Sequence, residues 1–353
     1  MSKLNPFTTR LGIHHPIIQA PMAGVATPML AAAVSNAGGL GSLGIATSSA
    51  SQARQMIEQT QALTSRPFNV NVFCHEPPLR DEKREAAWLE HLKPLFTECG
   101  ANLPTSLNEM YKSFIGDDEA FNMLLDTRPA VVSFHFGLPR TEQIKALRNR
   151  GIYTVATATN LEDARRIQAH GIDAIVAQGI EAGGHRGLFS TDAIDEKLST
   201  SVLVRLLVKN VNLPIIAAGG IMDGQGIKAA LTLGAAAAQL GTAFILCPES
   251  AANEGYRAAL KSERAASTCL TSAFSGRPAR GIRNRFINHA ELATAPEPAA
   301  YPIAYDAAKQ LIAAASHLGN HTFSAHWAGQ AALMARELPA AELVATLAQE
   351  CTI

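Results

Sequence analysis

Eight short apolar runs, each followed by a stretch with a helical pattern, constrain this chain more than any other feature. They are "PIIQAPM" (16–22), "GLGSLGI" (39–45), "FNVNVF" (68–73), "AVVSFHF" (130–136), "IYTVAT" (152–157), "AIVAQG" (174–179), "PIIAAGG" (214–220) and "AAAQLGT" (236–242). Runs this short and this apolar read as buried strands. The helix-like stretches include "PMLAAAVSNAGG", "SQARQMIEQTQAL", "TEQIKALRNRG", "NLEDARRIQAHG", 200–210 and 224–234. In "NLEDARRIQAHG", Asn160 suits the cap, Glu162 and Asp163 the first turn, and Gly171 the end. Strict strand–helix alternation predicts an α/β fold with parallel strands. Eight such units are the number that closes a (β/α)8 barrel. An open doubly wound sheet is the alternative.

The interval between Phe73 and Ala130 breaks this rhythm. It is rich in charge and helix formers, as in "PPLRDEKREAAWLEHLKPLF", and it is inserted after the third strand. In a barrel that is the face carrying the active site. The barrel is complete by about residue 250. The tail then holds "GRPARGIRNRF", "APEPAAYPIAY" and helical segments to the end. The expected division is a TIM barrel over 1–74 and 128–290, with a mainly helical lid domain from 75–127 and 291–353.

Hydrophobic residues make up 47% of the 353, enough for a core of that size. Lys+Arg and Asp+Glu both total 30, so the formal net charge is zero. That balance argues against a nucleic-acid surface or a basic membrane patch. Cys74, Cys99, Cys247, Cys269 and Cys351 show neither CxxC nor metal-ligand spacing, so no metal site and no disulfide framework are expected. No signal-like N-terminus and no membrane-spanning run is present, and a cytoplasmic protein is expected.

The seventh and eighth strands end in Gly219–Gly220 and in "QLGT", Gln239–Thr242. Barrels commonly bind phosphate there through backbone N–H groups. In "FNVNVF", Asn69, Asn71 and Phe73 share one face, which places Asn71 near the mouth if that face points inward. Gln178 ends the sixth strand, and "APMAG" puts Met22 and Gly24 after the first. Amide side chains suit the edge of a flat heterocycle. A flat, phosphate-bearing cofactor fits this set, and FMN is the candidate. No GxGxxG follows the first strand, which disfavours a Rossmann-bound NAD.

The stretch "QGIEAGGHRG" follows the sixth strand. Gly183, Gly184 and Gly187 let a backbone approach a flat ring, and His185 then faces the reactive centre as a general base or a cationic stabiliser. Ser133 and His135, in "SFHFG", are candidate pocket residues. Tyr301, Tyr305 and Lys309 are spaced to share one helical side, which from spacing alone reads as an ordinary helix face.

Taken together and in order, "QAPMAGVATPMLAAAVSNAGGLGSLG", "FNVNVF", "SFHFGLP", "QGIEAGGHRG", "AAGGI" and "QLGTAFI" resemble the class I nitronate monooxygenases, nearly end to end. The resemblance implies non-covalent FMN at Met22, Gly24, Asn71, Gln178, Gly183, Gly220 and Gln239, Leu240, Gly241 and Thr242, with Trp327 near the flavin. It implies His185 as the catalytic residue. It also implies a substrate cage from Tyr111, Tyr256, Tyr301, Tyr305 and Lys309, and propionate 3-nitronate as substrate. Oxidation by O2 would give 3-oxopropanoate with nitrite and nitrate, a detoxification. Lys309 and phenol donors suit the carboxylate of that dianion. A nitronate has already lost its α-proton, so an electrostatic role for His185 comes first and proton abstraction second. Other readings are an NAD(P)H-dependent FMN reductase acting on quinones or enoyl thioesters, and a flavin-free barrel lyase or isomerase. A monomer or homodimer is expected.

Overall fold

The computed structural model describes residues 5–191 and 193–352. Eight strands run parallel in one sheet: β1 (Ile17–Gln19), β2 (Gly41–Gly44), β3 (Phe68–Phe73), β4 (Val131–His135), β5 (Tyr153–Ala158), β6 (Ala174–Gln178), β7 (Ile215–Ala218) and β8 (Ala237–Leu240). From β2 to β8 each strand pairs with its sequence neighbour, and β8 pairs with β1, Ile17 lying opposite Ala238. The seam between β1 and β2 is closed by an Ile18–Leu40 bridge. There the Leu40 N–H donates to the Ile17 carbonyl at 2.9 Å, and the Gln19 N–H to the Leu40 carbonyl at 3.0 Å. The sheet is thus a barrel rather than an open doubly wound sheet.

The strands alternate as a buried barrel requires. Val70, Val72, Val132 and Phe134 join the core between the sheet and its outer helices. Asn69, Asn71, Phe73, Ser133 and His135 therefore face inward. The barrel's lower end is plugged by the helix Pro6–Leu11, whose Phe7 and Leu11 pack with Ile18, Val131, Val155, Val176 and Ile216. Local chemistry explains the helices. Ser49 and Gln52 form a reciprocal capping box on Ala50–Leu63, and Asn160 caps Leu161–Ala169. Helix Pro28–Asn36 lies so close to β2 that a Cβ at Gly41 would fall 1.9 Å from the Ala31 carbonyl oxygen.

A second core sits above the barrel mouth. Trp88, Leu92 and Phe96 of the inserted helix Glu82–Glu98 pack against Ala304, Ala308 and Leu311 of the tail helix Ala304–His317. Asp306 ties the two segments: it accepts from the Asn108 N–H at 2.8 Å, the Asn108 amide at 3.0 Å and Gln310 at 2.8 Å.

The packing departs from the expected boundaries in three places. Met123 and Leu124, in helix Asp118–Thr127, belong to the barrel core. So do Leu343, Val344 and Leu347 of the final helix Ala340–Thr352, whose apolar face lies against the barrel rather than in a lid. Conversely, Phe274, Phe286 and Ile287 pack in the upper layer. The tail is also not wholly helical, because Thr268–Thr271 and Ala279–Ile282 form an antiparallel pair. Among the described residues, no helix is long and apolar enough to cross a membrane.

Candidate active site

The loop after β6 is held from beneath by a buried arginine. Arg186 makes a two-pronged ion pair with Asp195, at 2.7 and 2.9 Å, and donates to the carbonyls of Gln178 and Gly179, both at 3.0 Å. The Gln178 amide donates to the His185 carbonyl at 2.8 Å and accepts from the Gly187 N–H at 2.8 Å. Gln178, expected to face a cofactor, secures with its amide the loop that presents the histidine. Gly184–His185 then runs antiparallel to Ala279–Ile282, adding a third strand to the hairpin.

The glycines around His185 have separate reasons. A Cβ at Gly183 would lie 2.6 Å from the Ala328 carbonyl carbon, and one at Gly187 would lie 2.7 Å from Thr157 Cγ2. Both are set by close contact within the protein. Gly184, at φ 76°, alone of the three has open space beside it.

The imidazole of His185 is half-buried among four aromatic rings. Ring centroids stand at 5.3 Å for Trp327, 5.7 Å for Phe136, and 5.9 Å for both Tyr301 and Tyr305. Tyr111 meets Tyr305 edge-on at 5.5 Å. The Lys309 ammonium lies 4.6 Å over the Tyr111 ring and 5.8 Å from that of Tyr305. Insertion and tail thus bring Tyr111, Tyr301, Tyr305 and Lys309 together over His185. Tyr256 is used differently: it stacks on His326 at 4.8 Å, and its hydroxyl donates to the Trp327 carbonyl. It supports Trp327 from behind.

Burial lowers the His185 pKa to about 3, with His135 and Arg277 adding to the effect. Burial likewise takes His135 down to about 4. The resting imidazole is therefore neutral, which counts against the expected cationic role. Lys309 and Arg277 bring positive charge to the site. The guanidinium of buried Arg277 packs 4.5 Å over Phe136 and 5.4 Å over Tyr301, and donates to the Leu188 carbonyl at 2.8 Å. Burial raises the pKa values of Tyr111, Tyr301 and Tyr305, so all three phenols remain donors.

The strand ends form a cradle beside this cage. Gly219 and Gly220 follow β7 with φ of 132° and 68°. Gly241 precedes the single turn Thr242–Phe244, and the Met22 sulfur lies 3.8 Å from where a Gly241 Cβ would stand. Thr242 Oγ1 accepts from the Gly329 N–H at 3.0 Å, joining Gln239, Leu240 and the strand end to the segment that carries Trp327. Asn71 donates to Ser133 Oγ at 2.9 Å and to its carbonyl at 3.1 Å, leaving the Asn71 Oδ1 without a partner among the described residues. Gly24 has open space at its Cβ position. The cradle suits a planar ring with an anionic tail. A cavity of about 270 Å³ adjoins the cage, with Phe73, Tyr111, Lys112 and Phe114 among its lining.

Sequence reasoning passed over Phe136, Ser275 and Arg277. Phe136 has φ 72°, a conformation that a bulky residue adopts only when its surroundings impose it. Its one sequence signal is the neighbouring Gly137. The pairing that brings Ser275 and Arg277 to His185 spans two distant segments and leaves no local trace.

Comparison with known proteins agrees with this geometry. The family model described as nitronate monooxygenase matches residues 5–350. A nitronate monooxygenase of Paraburkholderia phytofirmans is 57% identical, covering 96% of this chain and 93% of the relative. One from Pseudomonas aeruginosa is 56% identical, covering 98% of both. The solved nitroalkane oxidase of Streptomyces ansochromogenes superposes with a TM-score of 0.91 at 42% identity, covering 98% of this chain and 97% of that one. The chain belongs to the nitronate monooxygenase family of enzymes.

Proposed function

We propose that this enzyme uses FMN and O2 to oxidise alkyl nitronates, with propionate 3-nitronate as its preferred substrate. The products are then 3-oxopropanoate, nitrite and nitrate, and the role is detoxification in the cytoplasm. The observation that carries the reading is the line from His185 through Tyr305 and Tyr111 to Lys309. It offers neutral hydrogen-bonding groups at one end and a cation at the other, matching a substrate with a nitronate and a carboxylate.

On this reading the phosphate of FMN is held at Gly219, Gly220 and Gln239–Thr242, and its ring lies beside Met22, Gly24, Asn71, Gly183, Gly184 and Trp327. When bound, FMN supplies the redox chemistry, taking electrons from the substrate and passing them to O2. The chain's residues bind and orient. Lys309 and Tyr111 receive the carboxylate. Tyr301 and Tyr305 donate to the nitronate, and the aromatic walls exclude water. His185 accepts a proton only when the substrate arrives as a neutral nitroalkane, because a preformed nitronate has none to give.

The test is oxygen uptake and nitrite release by FMN-reconstituted protein given propionate 3-nitronate or ethyl nitronate. Rapid uptake with both, and a lower KM for the carboxylated one, is expected. No uptake with either, alongside NADH- or NADPH-dependent quinone reduction, would replace this reading with the reductase.

A further inference from the structure

Ser275 was not among the residues that the sequence singled out. It is 1% exposed, and its Oγ lies 2.9 Å from His185 Nε2. A serine hydroxyl has one hydrogen and can accept two. The Arg277 carbonyl takes that hydrogen at 3.1 Å, and the Arg277 N–H donates back to Oγ at 3.2 Å. The same hydrogen is within reach of Nε2 at 2.9 Å; with it on the Arg277 carbonyl, Oγ accepts from the imidazole and Nε2 carries the proton. The His185 Nδ1 has no partner among the described residues and is left bare.

The turn is built to keep this geometry. Gly276, at φ 87°, packs so tightly that a Cβ would lie 2.4 Å from the Ala299 carbonyl oxygen and 2.6 Å from the Tyr301 nitrogen. The turn is thus clamped to the segment that bears Tyr301. On the far side, the His185 carbonyl accepts from Gln178 at 2.8 Å and lies 3.2 Å from His135 Nε2. Backbone and ring are both pinned, and the bare nitrogen is the remaining freedom.

We propose that Ser275 is a positioning residue that fixes the Nε2–H tautomer of His185 and so makes Nδ1 the atom that meets the substrate. A neutral histidine can serve as a base only through its unprotonated nitrogen, and a neighbour commonly decides which one that is. In proton transfer, the α-proton of a neutral nitroalkane goes to Nδ1, giving imidazolium and nitronate. Ser275 Oγ continues to accept from Nε2–H throughout. With a preformed nitronate, the same bare nitrogen takes no proton, so the two substrate forms depend on Ser275 to different degrees. This kinetic consequence rests on the proposed nitronate chemistry; the tautomer itself does not.

The experiment is nitrogen NMR on purified protein labelled with ¹⁵N-histidine. Bare and protonated ring nitrogens resonate far apart, and the His185 signals are identified by their loss in His185→Asn. Wild type is expected to show Nε2 protonated and Nδ1 bare. Ser275→Ala is expected to shift His185 toward the Nδ1–H form, and Ser275→Thr, which keeps the hydroxyl, to hold the wild-type form. In parallel, Ser275→Ala should lower kcat/KM for a neutral nitroalkane about tenfold more than for its preformed nitronate. An Nδ1–H tautomer in wild type, or an unchanged tautomer in Ser275→Ala, overturns the proposal even if the protein oxidises nitronates well. Equal kinetic losses on both substrates would overturn Nδ1 as the atom that meets the substrate, while the spectra alone decide the tautomer. Wild-type spectra decide the matter if the alanine variant does not fold. An expected tautomer in a protein inactive on nitronates would instead reject the substrate reading and leave the serine's role standing.

Discussion

The Lys309 ammonium rests 4.6 Å over the ring of Tyr111, joining a residue of the tail helix to one of the insertion. Neither segment alone completes the cage. Burial lowers the lysine pKa, opposed by Asp306, and its outer part remains exposed at the rim. Lys309→Met should therefore raise KM for propionate 3-nitronate by roughly tenfold, the size of one partly solvated charge-assisted contact. KM for ethyl nitronate should change by less than about twofold, since it offers no carboxylate. Equal changes for both would remove Lys309 from carboxylate recognition.

The neutral imidazole makes a prediction about substrate form. His185→Asn removes the base while keeping a polar side chain of modest size. Turnover of a neutral nitroalkane should fall by about a hundredfold or more. Flavin content, read from absorbance, should stay near wild type, because His185 lies in the cage rather than at the strand-end cradle. Loss of flavin together with activity would instead assign the residue to cofactor binding.

Two further buried histidines, His75 edge-on to Tyr301 at 5.0 Å and His326 stacked on Tyr256, set an acid limit on stability. Burial lowers both His75 and His326 to about 4, helped by Arg277 for His75 and by Arg264 and His321 for His326. Neither ring nitrogen of His326 has a hydrogen-bond partner among the described residues. The unfolded chain takes up protons at these rings near pH 6.5, whereas the folded chain does so only near 4. Between those values the unfolded state holds more protons, so stability falls as pH falls, by up to roughly 1.4 kcal/mol per pH unit for each ring. Melting temperature should drop between pH 7 and pH 4.5, and His326→Gln should flatten that slope. An unchanged slope would mean that His326 is not held neutral by burial.

Gly183 carries the contact between the His185 loop and the tail. Gly183→Ala places a methyl group 2.6 Å from the Ala328 and Gly329 backbone, which has no flexible end to yield. Overpacking of this kind costs roughly 2 kcal/mol. Tm should fall by about 5 °C, with KM rising for every nitronate, because Trp327 is displaced along with its backbone. Calorimetry and steady-state rates check both. Full retention of both would show that the loop and tail move apart freely.

The barrel was legible because each strand–helix unit buries its own apolar run. "FNVNVF" matches its strand end for end, and the alternation of Asn69, Asn71 and Phe73 gave the inward face. The cage was less legible. From spacing, Tyr301, Tyr305 and Lys309 read only as a helix face; the resemblance gave them a purpose. The hairpin Thr268–Ile282 was missed because "TCLT" and "ARGI" lack strong strand patterning, and their pairing depends on Gly184–His185, far away in sequence. The backbone partners of Gln178 and Tyr256 were not legible for a related reason: a polar side chain at the right place looks alike whether it faces a ligand, a backbone carbonyl or both. The final helix was assigned to the lid because nothing in a C-terminal amphipathic pattern says which layer it will join.

The most direct test of the central claim is anaerobic mixing of the FMN-loaded protein with propionate 3-nitronate, and separately with NADH and NADPH, while the oxidised-flavin absorbance is followed. The account predicts rapid loss of that absorbance with the nitronate alone and little change with either nucleotide. Loss with a pyridine nucleotide but not with the nitronate would contradict it and identify a flavin reductase built on the same barrel.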